Sequence, residues 1–328
     1  MVENVEQAEA VAPVTRGSAS AASADATALE KLFDSDLWHS FKSSKTTVAA
    51  AIVTLLLVFA ALFAPVISPQ DPFDPSQLVE LDGFTPPVWQ EGGMSQYLLG
   101  TDGQGRDVLS AVLYGLRLSL GVGLASVLLA VVMGVLLGLI SGYLGGATDA
   151  IIMRIADIQI SFPSILIVLL IDGILRAVLP SERHDDLALF VVIMAIGFSA
   201  WPQFARTVRG STMVERQKEY VEAARLIGRH PFFIMCRHVL PNVTSPVLVI
   251  ATISLAVAIL SEATLSFLGV GVPPTEPSLG RQINVGQEYL FSLEWWMIAF
   301  PGATLVLLVL AVNLLGDWLR DALNPKLR

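Results

Sequence analysis

The sequence predicts an all-α membrane protein, and three features converge on that fold class. Of its 328 residues, 54% are hydrophobic and only 15% charged, with a mean hydropathy of +0.65; a soluble domain carries roughly 25% charged residues. The apolar residues gather into six blocks, each close to the roughly 20 residues needed to cross a ~30 Å hydrocarbon core. Those blocks are continuously apolar and do not alternate over short stretches. Backbone groups in lipid must pair within their own segment or in a closed barrel, so such blocks read as helices.

Residues 1–45 come first, rich in Ala, Ser and Glu with few large apolar side chains before Leu32, Phe33 and Trp38, and are expected to form a largely disordered tail. The first span, residues 46–67, contains no charge. It is longer than the roughly 7–15 residues of a signal-peptide core and lies far from the N-terminus, which argues against cleavage. Residues 68–117 form an outer segment too long for a turn, entered through Pro65, Pro69, Pro72 and Pro75. Residues 107–116 read as an amphipathic helix leading into the second span, 118–142.

That second span opens a five-helix core over residues 118–318. Its Ala130, Gly134, Gly138 and Gly142 recur every four residues, a ridge of small side chains expected to pack closely within the subunit. The third block, 148–171, is the weakest, because Asp149, Arg154 and Asp157 leave a charge-free stretch of only 14 residues. Arg154 and Asp157 are three apart and are expected to pair on one helix face. The remaining spans are 187–205, 243–268 and 295–316, followed by a tail over 319–328. Pro163 and Pro202 are expected to kink their helices. Charge inside a membrane helix is costly, so Asp157 and Glu262 must face protein or water; Glu262 either lines a pathway or ties two helices together.

Basic residues set the orientation. With a cytoplasmic N-terminus, the inner segments hold 15 of the 20 Lys and Arg residues, while acids such as Asp71, Asp74, Glu80, Asp82, Asp102 and Asp107 crowd the outer side. Both termini are therefore expected in the cytoplasm. No nucleic-acid role is suggested. Cys236 is the lone cysteine and leaves no partner for an intrachain disulfide. The four histidines, His39, His184, His230 and His238, lack the close spacing of a helical metal pair, so no metal site is expected. No Gly-Lys pair exists, which rules out a phosphate-cradling P-loop, and no Gly-x-Ser-x-Gly elbow is present. Transport driven by ATP would need its ATPase in another chain.

Residues 206–242, the longest inner connection, carry seven basic residues. Residues 212–227 are good helix formers, Gly228 suits a helix C-terminus and Pro231 the first turn of a new helix, which predicts two short helices joined by a sharp bend. Such a pair makes a compact knob, and Ala223 with Ala224 would admit a partner's backbone. Glu222-Ala223-Ala224, then Gly228, then His238-Val239-Leu240-Pro241 resembles the EAA loop of binding-protein-dependent importer permeases. His238 in place of the usual Ile resembles the peptide-importer branch. The segment from Leu99 through Gly100-Thr101-Asp102 to Gly105-Arg106-Asp107 resembles the C-type subunit signature of that branch. Ala156-Asp157 with Ser161-Phe162-Pro163, the Glu262 to Gly269 stretch and Asn313-Leu314-Leu315-Gly316-Asp317 are similar too. Ala111 departs from it where an Arg is usual.

The resemblance implies a six-helix importer permease bundle in a bacterial inner membrane, with short peptides as cargo. It implies three kinds of partner beside the lipid bilayer: a second homologous permease subunit, two cytoplasmic ATPase subunits that bind ATP and Mg, and an extracytoplasmic substrate-binding protein. Glu222, Ala223, Ala224, Gly228, Pro231, Leu240 and Pro241 would form the ATPase-coupling element, and this chain would hold no cofactor of its own. The outer segment would either receive the binding protein or cap the helix ends. Nickel, oligosaccharide or glutathione-like cargo is the alternative within the family; a stand-alone ion-coupled transporter is the alternative outside it, and the spans offer it few ionisable residues.

Overall fold

A computed structural model describes residues 41–72, 74, 76, 82–178, 180, 184–273 and 276–322. The chain divides into two units, Met1–Ser44 and Lys45–Arg328. In the first, residues 41–43 are helical; the tail expected over 1–45 otherwise lies outside the described residues, as do residues 323–328 of the C-terminal tail.

The regular structure of the second unit is helical among its described residues, with no strand and a single isolated bridge between Thr101 and Asp107, in the irregular stretch before residue 108. Helix α1 (Lys45–Leu62) is followed after Phe63 by the short α2 (Ala64–Ile67). The block 46–67 is thus broken near its end, where Pro65 removes a backbone donor in the first turn of α2. Helix α3 (Val108–Leu144) is one 37-residue rod, so the amphipathic stretch at 107–116 is the beginning of the second span and not a separate helix. Asp107 starts it, its carboxylate accepting the Ser110 N–H at 2.8 Å.

The third apolar block is two helices, α4 (Gly146–Ile160) and α5 (Ser164–Val178), bent by 100° at the intervening Ser161-Phe162-Pro163. The expected kink at Pro163 is a full break. Helix α6 (His184–Glu215) continues through Pro202. Then come α7 (Glu219–Leu226), α8 (Pro231–Ile234), a π-helical turn at Met235–Val239, α9 (Leu240–Phe267), α10 (Leu279–Glu288) and α11 (Trp296–Ala322). Five helical segments are long and apolar enough to cross a membrane, or six if the bent α4/α5 pair counts as one.

Packing centres on α3 and α6, the most extensive helix pair. The small-residue ridge makes that seam possible. A Cβ on Gly134 would lie 2.3 Å from Phe204 Cβ, and one on Gly138 would lie 2.6 Å from the Ala205 carbonyl. On Gly142 it would meet Thr212 Cβ at 2.7 Å. Ala130, Phe204, Ala205 and Val208 are fully buried in the same seam. The ridge is therefore an internal contact. By contrast, Leu55, Leu56, Phe59 and Leu62 of α1 are exposed, as suits a lipid-facing helix.

Polar contacts supplement the seam. Asp157 does not pair with Arg154, as its spacing had suggested; it is bound by Arg206 of α6. The neighbouring helix brings a guanidinium to the carboxylate, which makes the contact a tie between helices. Arg209 holds Asp149 in bidentate fashion, with Nη2 to Oδ2 at 2.6 Å, and Ser141 of α3 donates to the same carboxylate. These bonds join α3, α4 and α6 at one end of the bundle.

Candidate coupling site

The bend between α6 and α9 is built from the end of one long helix and the beginning of another. Helix α6 stops at Glu215, earlier than the helix predicted over 212–227, and the chain turns through Arg216, Gln217 and Lys218. The Arg216 guanidinium there donates to the carbonyls of Gly142 at 2.9 Å and Tyr143 at 3.2 Å, capping the C-terminus of α3. Helix α7 then forms with Glu219 and Glu222 in its first turn and Arg225 in its last, an order that suits the helix dipole.

Gly228 ends that helix with φ of +80°. The Arg229 N–H bonds the Ala224 carbonyl at 3.1 Å and the Gly228 N–H bonds the Arg225 carbonyl at 2.9 Å, the pattern of a left-handed helix stop. His230 caps α8, its Nδ1 accepting the Phe232 N–H at 3.3 Å, and Pro231 occupies the first turn. The π turn follows directly. Pro241 has no N–H to give to the turn before it and its ring crowds that turn, which accounts for a widened ladder at Met235–Val239. From Pro231 to Phe267 the chain nonetheless forms one 37-residue helical segment.

The bend has an inner and an outer side. Val221, Ile234 and Val239 are fully buried and join the same core cluster as Leu139, Tyr143 and Val208. Ala224 is only 7% exposed and belongs to that cluster, so of the two alanines only Ala223 faces outward. Glu222, Ala223, Gly228, Pro231 and Pro241 are exposed, and Leu240 packs partly against the core. Leu226 at 89%, Ile227 at 77% and Phe232 at 64% exposure form an apolar tip, flanked by exposed Arg225, Arg229 and Arg237. Arg225 also stacks over the Tyr143 ring at 5.0 Å, and Arg229 over Phe233 at 5.1 Å.

Tyr220, which the sequence reading did not single out, anchors the base. Its hydroxyl donates to Glu215 at the end of α6 and accepts from Asn242 Nδ2 of α9 at 3.0 Å. Burial and the adjacent Glu215 carboxylate push its phenol up to about 12, so it stays neutral and keeps donating at physiological pH. Only its placement in the helix after Glu215 hints at this role in sequence; Asn242 arrives from across the bend.

Glu262 is fully buried at the other end of α9. Three serines donate to it: Ser119 of α3 at 2.6 Å, Ser266 at 2.8 Å and Ser278, at the start of α10, at 2.7 Å. The carboxylate therefore ties three parts of the bundle. Asp157 lies far along the chain from this cluster and is half exposed beside Arg206. Asp172, also outside the sequence reading, is buried and bound by Arg176, whose Nη2 reaches the carbonyls of Val270 and Gly271 at 2.7 and 2.9 Å.

Comparison with known proteins agrees with this architecture. Residues 134–328 match the family described as binding-protein-dependent transport system inner membrane component, and residues 33–87 match the N-terminal TM domain of oligopeptide transport permease C. The chain is 41% identical over 293 residues to the di/tripeptide transport system permease protein DppC of Pseudomonas aeruginosa, covering 89% of this chain and 92% of that one. It is 42% identical to the dipeptide transport system permease protein DppC of Escherichia coli K12, covering 89% and 93%. Among solved structures, an inward-facing MetNI methionine ABC transporter chain is similar with a TM-score of 0.51 and 20% identity, covering 65% of this chain and 96% of that one. That likeness speaks to the fold, while the sequence matches span most of the chain. With its helical bundle and its exposed bend on the ends of two spans, the chain belongs to the binding-protein-dependent transport system inner membrane component family.

Proposed function

We propose that the chain is one of two homologous membrane subunits of an ATP-driven importer of short peptides in a bacterial inner membrane. The observation that carries this reading is the exposed bend around Gly228. Its apolar tip of Leu226, Ile227 and Phe232 projects from the protein, and its buried side is fixed to α3, α6 and α9. A large exposed apolar group rimmed by charge is what a protein partner would cover, and a helical segment continuous from Pro231 to Phe267 would carry a push there into the bundle.

ATP and Mg belong to two cytoplasmic ATPase subunits that grip this bend, and the chain itself catalyses no reaction. Counting α4 and α5 as one span gives six, with both termini and the bend in the cytoplasm, as the distribution of basic residues supports. Names of the close relatives support di- or tripeptide cargo. An extracytoplasmic binding protein would dock on the opposite face. There a cavity of about 280 Å³ lies between the Asp102–Arg106 turn and α10, with Arg106, Glu276, Arg281 and Tyr289 in its wall.

Two measurements test the reading. The tagged chain, extracted in mild detergent, should bring a second permease and ATPase chains with it. Vesicles holding the whole complex should accumulate dipeptide only with ATP on the ATPase side and binding protein on the other. Accumulation driven by an ion gradient in vesicles free of ATPase chains would overturn it.

A further inference from the structure

We infer that a small cavity between four helices, open to the surface of the bundle, is a hydrogen-bonding subsite for the main-chain amides of the passing peptide. The inference rests on the peptide reading above. The cavity, about 120 Å³, lies between α3, α5, α6 and α9. Its polar wall consists of Ser126, Ser164, Ser199, Gln203, Ser254 and Ser261, and no charged residue lines it. A single water needs roughly 10–15 Å³ of such volume, so the space is larger than a hydration site requires.

Three independent observations point to a ligand. The Ser126 Oγ is buried, the residue being 1% exposed, and no protein group hydrogen-bonds to it. Leaving a buried hydroxyl unpaired is unfavourable, so a residue without function there would better be alanine. Ser126, Ser199 and Ser254 also fall at the midpoints of Val108–Leu144, His184–Glu215 and Leu240–Phe267. Three neighbouring helices thus bring an uncharged hydroxyl each to one cavity wall. The break at Ser161-Phe162-Pro163 leads straight into Ser164 on the wall, and non-helical backbone at membrane depth is tolerated where it lines a cavity.

The chemistry of the wall selects the ligand class. Ser199 and Ser261 donate to the Ile196 and Val257 carbonyls of their own helices, both at 2.8 Å, so each offers the cavity an acceptor. Ser126 offers both a donor and an acceptor, as does the Gln203 amide. Neutral donors and acceptors side by side match the N–H and C=O of a peptide unit. Such a site is indifferent to cargo side chains, and nothing in it would hold a charged terminus. Ser164, Gln203 and Val257 are exposed, so the cavity opens to the surface of the bundle.

Uptake by the complete transporter in vesicles tests the site, using a panel of dipeptides with acidic, basic and apolar side chains and one analogue N-methylated at its amide. Ser126→Ala and Ser254→Ala remove a hydroxyl each and no packing atoms of other helices. Each is expected to lower uptake about three- to tenfold, the worth of one neutral hydrogen bond, by the same factor for every side chain, at normal membrane abundance. The N-methylated analogue should be transported poorly by the wild type and lose less on mutation. Uptake of all dipeptides at the wild-type rate in both variants would overturn the cavity's role, as would a loss confined to one side-chain class. A wild-type complex that moves no dipeptide at all would overturn the peptide reading and this inference with it.

Discussion

Substitution of Gly228 separates coupling from folding, because the structure assigns the position two distinct properties. Its φ of +80° lies in the left-handed region, and a Cβ built there would meet nothing within 4 Å. An L side chain therefore costs backbone strain of about 1–2 kcal/mol and no clash within the chain. Asn tolerates the left-handed conformation better than other side chains, Ala takes the full strain at minimal size, and Trp takes the same strain while filling the space in front of the bend. All three variants should reach the membrane in normal amounts, since a loss of about 2 kcal/mol is within the marginal stability of a domain. The assay is ATP hydrolysis by the reconstituted complex, with and without peptide-loaded binding protein. Strain alone would impair Ala and Trp equally and spare Asn. Docking of a partner on the bend should spare Asn and Ala in large part and abolish stimulated hydrolysis in Trp, with basal hydrolysis retained. A Trp variant with full stimulation, or an Ala variant as damaged as Trp, would refute the coupling reading.

Other positions give sharper structural tests. Gly134→Val should lower the amount and melting temperature of the folded chain, because its Cβ would stand 2.3 Å from that of Phe204 and overpacking costs about 1–3 kcal/mol or more; Gly121→Ala in the same helix, with open space at its Cβ, should match the wild type on immunoblots of membranes and in thermal unfolding. Glu262→Leu leaves three fully buried serine hydroxyls without their acceptor, a loss of about 1–3 kcal/mol for each, whereas Glu262→Gln keeps part of the network; thermal unfolding in detergent should rank wild type, Gln, Leu. If Glu262→Gln melts normally and still loses uptake, the residue belongs to the pathway and not to helix tying. Tyr220 has a folded pKa of about 12, above the ordinary value of ~10, so its neutral form is favoured by the fold. Its contribution is complete below about pH 10 and is lost as pH rises toward 12; Tyr220→Phe should flatten the alkaline limb of a stability profile across that interval.

Periodicity and composition carried the fold where local chemistry decides structure, and failed where a neighbour did. The four-residue spacing of Ala130, Gly134, Gly138 and Gly142 reads directly as a close-packed ridge, and the seam with Phe204 and Ala205 is that ridge in place. Gly228 and Pro231 announced the stop and restart of the bend for the same reason, since φ and donor restrictions are properties of single residues. The end of α6 at Glu215 was not legible, because Arg216 turns to carbonyls 73 and 74 positions away. Asp157 misled by its nearness in sequence to Arg154, while its partner Arg206 is 49 positions distant. The inward face of Ala224 likewise depends on tertiary packing that an Ala-Ala pair does not encode. The cavity serines were invisible for a further reason: single serines in apolar helices look alike until four helices bring them together.

The lengths of the helices say how a push at the bend could reach that cavity. Val108–Leu144 and Pro231–Phe267 each contain 37 residues, about 55 Å at a rise of 1.5 Å per residue, against a hydrocarbon core of ~30 Å. Both reach the bend at one end. The C-terminus of α3 meets Arg216 and Arg225 at the bend, and the segment just before its N-terminus is held by Trp296, whose Nε1 bonds the Thr101 carbonyl; the second helix starts in the bend itself. Sliding between α3 and α6 is opposed by the glycine seam and by Asp149 of α4, which accepts from both Ser141 of α3 and Arg209 of α6. The helical ladder departs from regularity at the π turn of Met235–Val239 and at the 100° break before Ser164. On the coupling reading, the tightly packed seam would move as one body and those two irregular turns would take up the change in angle. A change of angle at the break before Ser164 would then alter its spacing from Ser126 and Ser254 across the cavity, closing on an amide and releasing it.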